Sequence, residues 1–198
     1  RPDEPMHERY AVAHDFLSPE VGRETRTISQ TVNAFFRWEF NSCEMLVKDG
    51  MVYPIDYANA CPDVAVTSLH YYFPWAMKAL LRWSTFCVAK TQVDTGPWFE
   101  IADDEALDYQ AKLEAYQALA DDHFETERYA EFCDSTLPHV DDMVLEWIDG
   151  PDFRSLLQST IQQTYPPHEW ERFEGHFGGL LGMWVSDERR IRGSGAEG

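Results

Sequence analysis

The sequence is poor in positive charge. Its 198 residues include 16 Lys and Arg residues against 35 Asp and Glu residues, which gives a formal net charge of −19. Nucleic acids and anionic membrane surfaces are bound through clustered cations, so this composition disfavours both partners. We interpret the acidic excess as a well-solvated exterior.

Cysteine is scarce, and long apolar runs are missing. The cysteines are widely spaced and form no CxxC pair, which predicts neither a disulfide framework nor a zinc site; they are Cys43, Cys61, Cys87 and Cys133. Such usage fits the reducing cytosol. No apolar run has the length of a membrane span, and no signal peptide is visible. We therefore predict a cytoplasmic protein.

The chain does contain the material for a core, since 44% of its residues are hydrophobic and 14% are aromatic. Apolar spacing predicts a helix over 20–36 and a buried helix near 74–89. Alternating patterns predict strands near 37–47 and 51–58. The acidic start of residues 103–122 predicts a further helix.

These elements together predict an α+β fold, with an antiparallel hairpin followed by a helix-rich region. We expect residues 1–91 to form the first part of the protein and 92–184 a helical region. Residues 185–198 end in Gly, Ser and Ala, which predicts a flexible tail. The prolines of residues 1–20 predict extended chain and an edge strand.

The predicted hairpin carries two carboxylates, Glu44 and Asp56, within otherwise apolar strands. A two-residue Asp-Gly turn would place them on opposite faces. A three-residue loop over 48–50, closed by a glycine bulge, would pair Val47 with Met51 and make the carboxylates diagonal neighbours on one face. We favour this second register, because it also collects the apolar side chains of Cys43, Met45, Val47, Met51, Tyr53, Ile55 and Tyr57 on a core face.

Two carboxylates on one face repel each other unless a cation lies between them. Mg²⁺ suits such a pair, since it prefers oxygen ligands and is often held by one or two carboxylates together with substrate phosphates. The alternative is an ordinary solvated strand face that bears two acids. The pattern of the residues alone leaves both interpretations open.

The stretch CEMLVKDGMVYPIDYANACPD, residues 43–63, resembles the metal-binding hairpin of ATP-grasp ligases. This superfamily includes D-alanine–D-alanine ligase and the ribosomal-protein glutamate ligases. The resemblance covers about residues 20–66 and implies that Glu44, Asp56 and Asn59 hold the Mg²⁺ ions that bridge the phosphates of ATP. The family shows acid-x-Asn where this chain has acid-x-x-Asn, so a bulge or strand end near Ala58 is required to turn Asn59 back.

The resemblance also implies an activity. An ATP-grasp ligase phosphorylates a carboxylate, and an amine then displaces phosphate from the acyl phosphate. In the family a glycine-rich loop and lysines that grip the nucleotide precede the hairpin, whereas here no lysine precedes Lys48 and only Gly22 precedes Gly50. We expect the chain to be the C-terminal part of such an enzyme, with residues 1–91 forming the C-terminal part of its ATP-grasp lobe. We expect it to be inactive alone, with small carboxylate and amine substrates and a possible homo-oligomeric state.

Arg37 is a candidate catalytic residue. It lies in the predicted strand that leads to Glu44, where it can reach a phosphate or acyl phosphate, or form a salt bridge with a neighbouring acid. His70 is a candidate for a substrate cleft or for burial beneath the hairpin, whereas His168 and His176 are interpreted as surface residues. The rival to the enzyme hypothesis is a non-catalytic, acidic, helix-rich interaction module, whose many aromatic residues serve an interface.

Overall fold

A computed structural model describes residues 12–90 and 96–195. It combines a two-stranded antiparallel sheet with mostly helical structure, so the α+β class is confirmed at this coarse level. None of the helices in these two ranges has the length and apolar character to cross a membrane. Of the segment 1–20 that was predicted to be extended with an edge strand, residues 1–11 lie outside the described part of the chain. Residues 12–18 form no strand, and a helix begins at Pro19, so the edge strand is absent from the described residues.

The elements follow one another in the order helix, hairpin and then a series of helices. They are α1 (Pro19–Phe36), β1 (Ser42–Lys48), β2 (Met51–Asn59), α2 (Val66–Leu69), a 3₁₀ turn (His70–Tyr72), α3 (Phe73–Cys87), α4 (Trp98–Asp103), α5 (Tyr109–Phe124), α6 (Thr126–Thr136), α7 (Val140–Asp149), α8 (Pro151–Thr164), a second 3₁₀ turn (Pro167–Glu169) and α9 (Trp170–Gly195).

Three element boundaries differ from the predicted ones. The helix predicted over 103–122 starts only at Tyr109, because the Asp108 side chain caps it by accepting a hydrogen bond from the Ala111 N–H at 2.8 Å. The strand predicted from residue 37 starts at Ser42. Helix α9 continues to Gly195, so residues 185–195 are helical where a flexible tail was predicted.

The chain divides into two compact units that do not follow the predicted boundary at residue 91. Among the described residues, the first unit contains 12, 63–85 and 135–195, and the second contains 13–62, 86–90 and 96–134. Each unit is therefore assembled from segments that are distant in sequence.

The first unit is held together by three helices with apolar stripes. The buried residues of α7 and those of α8 recur at every fourth position. The buried residues of α9, from Phe173 to Val185, also lie along one face of their helix. Their packing forms one core that contains Val144, Ile148, Phe153, Leu157, Ile161, Phe173, Phe177, Leu181 and Trp184. Pro151, at the first position of α8, starts that helix directly after Gly150.

The second unit joins α1 to α5 and supports the hairpin on α1. Ala34 and Ala120 are almost fully buried, and Trp98 completes their cluster. Small residues at this position let two helices approach closely. Ser18 caps the start of α1, and its hydroxyl accepts a hydrogen bond from the Val21 N–H at 3.3 Å. Helix α1 also contacts both strands of the hairpin.

Candidate functional site

The strands of the hairpin are joined by a two-residue turn. Asp49 and Gly50 have φ angles of 52° and 77°, and Lys48 pairs with Met51 across them. Positive φ at both central positions is the geometry of a type I′ turn, whose twist matches that of the strands. The predicted three-residue loop, with Val47 opposite Met51, is therefore wrong. Aspartate tolerates the left-handed conformation, so Asp-Gly closes the hairpin without a glycine bulge.

A β-bulge nevertheless brings Glu44 and Asp56 to the same side. Met45 pairs with Pro54, but the next pair is Glu44 with Asp56, which makes Ile55 the extra residue. In a regular continuation Glu44 would lie opposite Ile55, and Asp56 would point to the other face. The bulge offsets the shorter turn. The carboxylates belong to directly paired residues, not to diagonal neighbours as predicted.

A second irregularity brings Asn59 into the same row. It falls between Ser42 and Glu44, where β2 again carries one extra residue, so that Asn59 pairs with Ser42. This is the bulge that the spacing of Asp56 and Asn59 requires. The Asn59 amide Nδ2 donates a hydrogen bond to the Ser42 hydroxyl at 3.0 Å. This bond fixes the side chain and leaves its oxygen Oδ1 as a potential cation ligand.

The surroundings of the row leave the carboxylates accessible. Glu44 and Asp56 are exposed, and within residues 12–90 and 96–195 Glu44 forms no ion pair. The Ala58 N–H points to Asp56 Oδ1 at a long 3.5 Å. Like charges on directly paired residues destabilise a hairpin unless a cation compensates them. Beside them, burial and the Asp56 carboxylate raise the pKa of the Cys43 thiol, which makes it a poor nucleophile.

The side chains of the row carry oxygen donors, which are the type of ligand that Mg²⁺ takes. In the part of the chain that the structure describes, no three His, Cys, Asp or Glu side chains are grouped to hold a metal ion. The donors that the row does offer are the carboxylates of Glu44 and Asp56 and the amide oxygen of Asn59. Mg²⁺ keeps several waters and takes phosphate oxygens from its substrate, so an incomplete protein cage suits it, whereas a structural zinc site would need four ligands.

The hairpin has a different core face from the predicted one. Val52 is its one strongly buried side chain among residues 42–59, and Cys43 and Met45 are half-buried. The one-residue difference in register at the turn exchanges the faces of β2 from Met51 to Pro54, and the bulge at Ile55 reverses this exchange. Five side chains predicted for the core face are between 43% and 55% exposed, namely Val47, Met51, Tyr53, Ile55 and Tyr57.

Arg37 ends α1 and does not belong to a strand. It adopts the left-handed conformation with φ of 59°, and its N–H donates to the Ala34 carbonyl at 3.2 Å. Such a residue closes a helix. The charge of Arg37 reaches the buried His123, whose pKa is lowered by burial, by Lys90 and by Arg37. Its predicted role toward a phosphate stays a prediction.

One cluster in the second unit was not found from the sequence. The Lys90 ammonium lies 3.0 Å from the Glu39 carboxylate, and the Cys87 thiol lies 4.0 Å from the same carboxylate. The Lys90 side chain is only 9% exposed, and it stands 5.4 Å from the centre of the Phe124 ring. These contacts join α5, the end of α3 and the segment before β1. No local pattern therefore reveals that these residues meet.

Two histidines lie together in an aromatic group of the first unit. His70 and His176 belong to the first unit, where their rings meet edge to face at 5.5 Å and both contact Phe177. Burial lowers the pKa of His70. His176 was interpreted as a surface residue, but it is half-buried in this aromatic group.

A scan of protein-family models and searches of curated proteins and solved structures found no match to this chain.

Proposed function

We propose that the hairpin is the Mg²⁺-binding element of an ATP-dependent carboxylate–amine ligase of the ATP-grasp type. Glu44, Asp56 and Asn59 would be the protein ligands. Support comes from the pairing of Glu44 with Asp56, because two bulges place all three candidates in one exposed row. This pairing is the observation that carries the proposal.

The three proposed ligands would differ in the charge that they bring to the cation. Glu44 and Asp56 would each supply one negative charge to the cation and hold it at the strand pair. Asn59, positioned by Ser42, would supply a neutral oxygen. When bound, Mg²⁺ neutralises phosphate charge while the carboxylate substrate receives the γ-phosphoryl group of ATP.

The exposed position of the row is part of the argument. A structural metal site is closed by protein ligands, whereas a site that shares its cation with a nucleotide must leave coordination positions open. Glu44 and Asp56 are both exposed. The proposal also includes an ATP-grasp lobe with lysines that bind the nucleotide, which the resemblance leads us to expect.

The experiment is a titration with Mn²⁺, whose unpaired electrons broaden the NMR signals of nearby residues. We expect selective broadening at the hairpin row, reversed by excess Mg²⁺. Glu44→Gln and Asp56→Asn keep the size of the side chain and remove one charge, so each should weaken the effect about tenfold or more.

Asp49→Asn is the matched control. It removes one charge from the tip of the same hairpin, and asparagine accepts the positive φ of that position. It should leave Mn²⁺ binding unchanged. Equal loss of binding in Asp49→Asn and Glu44→Gln would reduce the effect to general electrostatics and would contradict a site at the row.

The exposed apolar residues favour a second candidate function, an acidic interaction module. Leu46 and Ile55 are 58% and 55% exposed beside the carboxylates. A face of this kind on a chain of net charge −19 fits a cationic partner protein with an apolar patch. If this is its role, Leu46→Ser should abolish binding of the partner, and Mn²⁺ should not broaden the hairpin signals selectively.

A further inference from the structure

A groove whose lining residues are mainly of polar types lies between parts of α1 and α5 in the second unit. Its volume is about 600 Å³, which is within the range of small-ligand pockets. It lies outside the hairpin row, and the proposed metal site does not use its residues. The residues that matter here are Arg23, Arg26 and Thr27 of α1 and Glu114, Gln117 and Asp121 of α5.

The floor of the groove is a fixed hydrogen-bond network. The buried Thr27 hydroxyl donates to Gln117 Oε1 at 2.6 Å. Gln117 Nε2 donates in turn to Gln30 Oε1 and to Asp121 Oδ1, each at 3.0 Å. A satisfied polar network of this kind is rigid, and it disfavours an apolar ligand, which would strip water from it without replacing the lost hydrogen bonds.

The two walls of the groove carry opposite charges. Arg23 and Arg26 are exposed and lie one turn apart on α1, so they share one face. In the described ranges neither guanidinium forms a hydrogen bond or an ion pair. The α5 wall contributes the carboxylates of Glu114 and Asp121.

These charges select the class of ligand. A polyanion such as free phosphate meets the two carboxylates of α5 and the field of a chain with net charge −19. A cation without an anionic group meets the two arginines. A molecule with both charges satisfies both walls and has no net interaction with the overall field.

We propose that this groove binds a small zwitterion with a carboxylate and an ammonium group, of the class of amino acids and dipeptides. The guanidinium groups of Arg23 and Arg26 hold the carboxylate through charge-assisted hydrogen bonds. Glu114 and Asp121 hold the ammonium group. The site is independent of Mg²⁺ and of the proposed ligase reaction.

Ligand-observed NMR with glycylglycine tests the proposal on the full 198-residue chain. We expect millimolar binding, and about tenfold weaker binding of glycylglycinamide and of N-acetylglycylglycine, which lack the negative and the positive charge respectively. Arg26→Gln should weaken glycylglycine about tenfold, and it should leave the already weak amide unchanged. Glu114→Gln should weaken glycylglycine and leave the acetylated peptide unchanged.

Arg154→Gln is the control, because Arg154 is an exposed arginine of α8 in the first unit. It should bind glycylglycine like the parent chain. Three results would overturn the proposal: no binding of glycylglycine at millimolar concentration, equal binding of inorganic phosphate, or equal losses in Arg26→Gln and Arg154→Gln. Circular dichroism spectra and melting temperatures of the variants verify that each is folded.

Discussion

Replacing Glu39 with Gln removes the charge that compensates Lys90 in the second unit. The Lys90 side chain is 9% exposed and lies 3.0 Å from the Glu39 carboxylate, which is 46% exposed. At that distance the Coulomb energy is about 1.4 kcal/mol with the dielectric constant of water and about 5.5 kcal/mol with an effective value near 20. The variant therefore leaves a largely buried ammonium group with weakened compensation.

We expect Glu39→Gln to lower the free energy of unfolding by about 2 kcal/mol, between these limits, because Glu39 is half-exposed and water replaces part of its contribution. Urea denaturation followed by tryptophan fluorescence measures the loss. The glutamine amide still reaches Lys90, so the hydrogen bond survives and the loss is mainly that of the charge.

Two further variants test the reasoning. Asp149→Asn breaks the ion pair between Asp149, whose side chain is 45% exposed, and Arg189, whose side chain is 61% exposed. Because this pair is exposed, its loss should lower the free energy of unfolding by at most about 1 kcal/mol. Adding Lys90→Met to Glu39→Gln removes the largely buried charge whose compensation was weakened, and it should recover most of the loss. If Glu39→Gln is as stable as the parent chain, or if Lys90→Met does not rescue it, the interpretation of Lys90 as a buried, charge-dependent residue is wrong.

The remaining predictions concern the hairpin, a tyrosine and the nucleotide. Gly50→Ala should cost about 1 kcal/mol in urea unfolding because Gly50 has φ of 77°, and no loss would contradict the turn geometry. The Tyr109 hydroxyl donates to Glu24, and burial and this bond raise the pKa of Tyr109 to about 12. The stability that this hydrogen bond contributes should be complete below pH 10 and lost between pH 10 and 12. Urea unfolding of Tyr109→Phe should not show this loss. Calorimetry should find only weak Mg-ATP binding to residues 1–198, and micromolar affinity would refute the expectation that the nucleotide grip lies elsewhere. In a complete enzyme, Glu44→Gln should reduce ATP turnover by about two orders of magnitude.

Local patterns predicted the parts of the protein that depend on near neighbours. Apolar spacing predicted helices over 20–36 and near 74–89, and the structure contains them as α1 (Pro19–Phe36) and α3 (Phe73–Cys87). The sequence also predicted a hairpin around the Asp-Gly pair. Glu44, Asp56 and Asn59 could be selected because they lie within one short stretch.

The tertiary structure decided what depends on register and on distant residues. A single bulge residue changes the face of every following side chain in a strand. The shared face of Glu44 and Asp56 was therefore predicted correctly although the predicted turn was wrong. Only the folded strands show that these two residues pair directly. The contact of Lys90 with Glu39 joins positions about 50 residues apart, and chain folding alone brings them together. The groove of Arg26 and Glu114 likewise exists only because α1 packs against α5, a long-range contact that no local periodicity specifies.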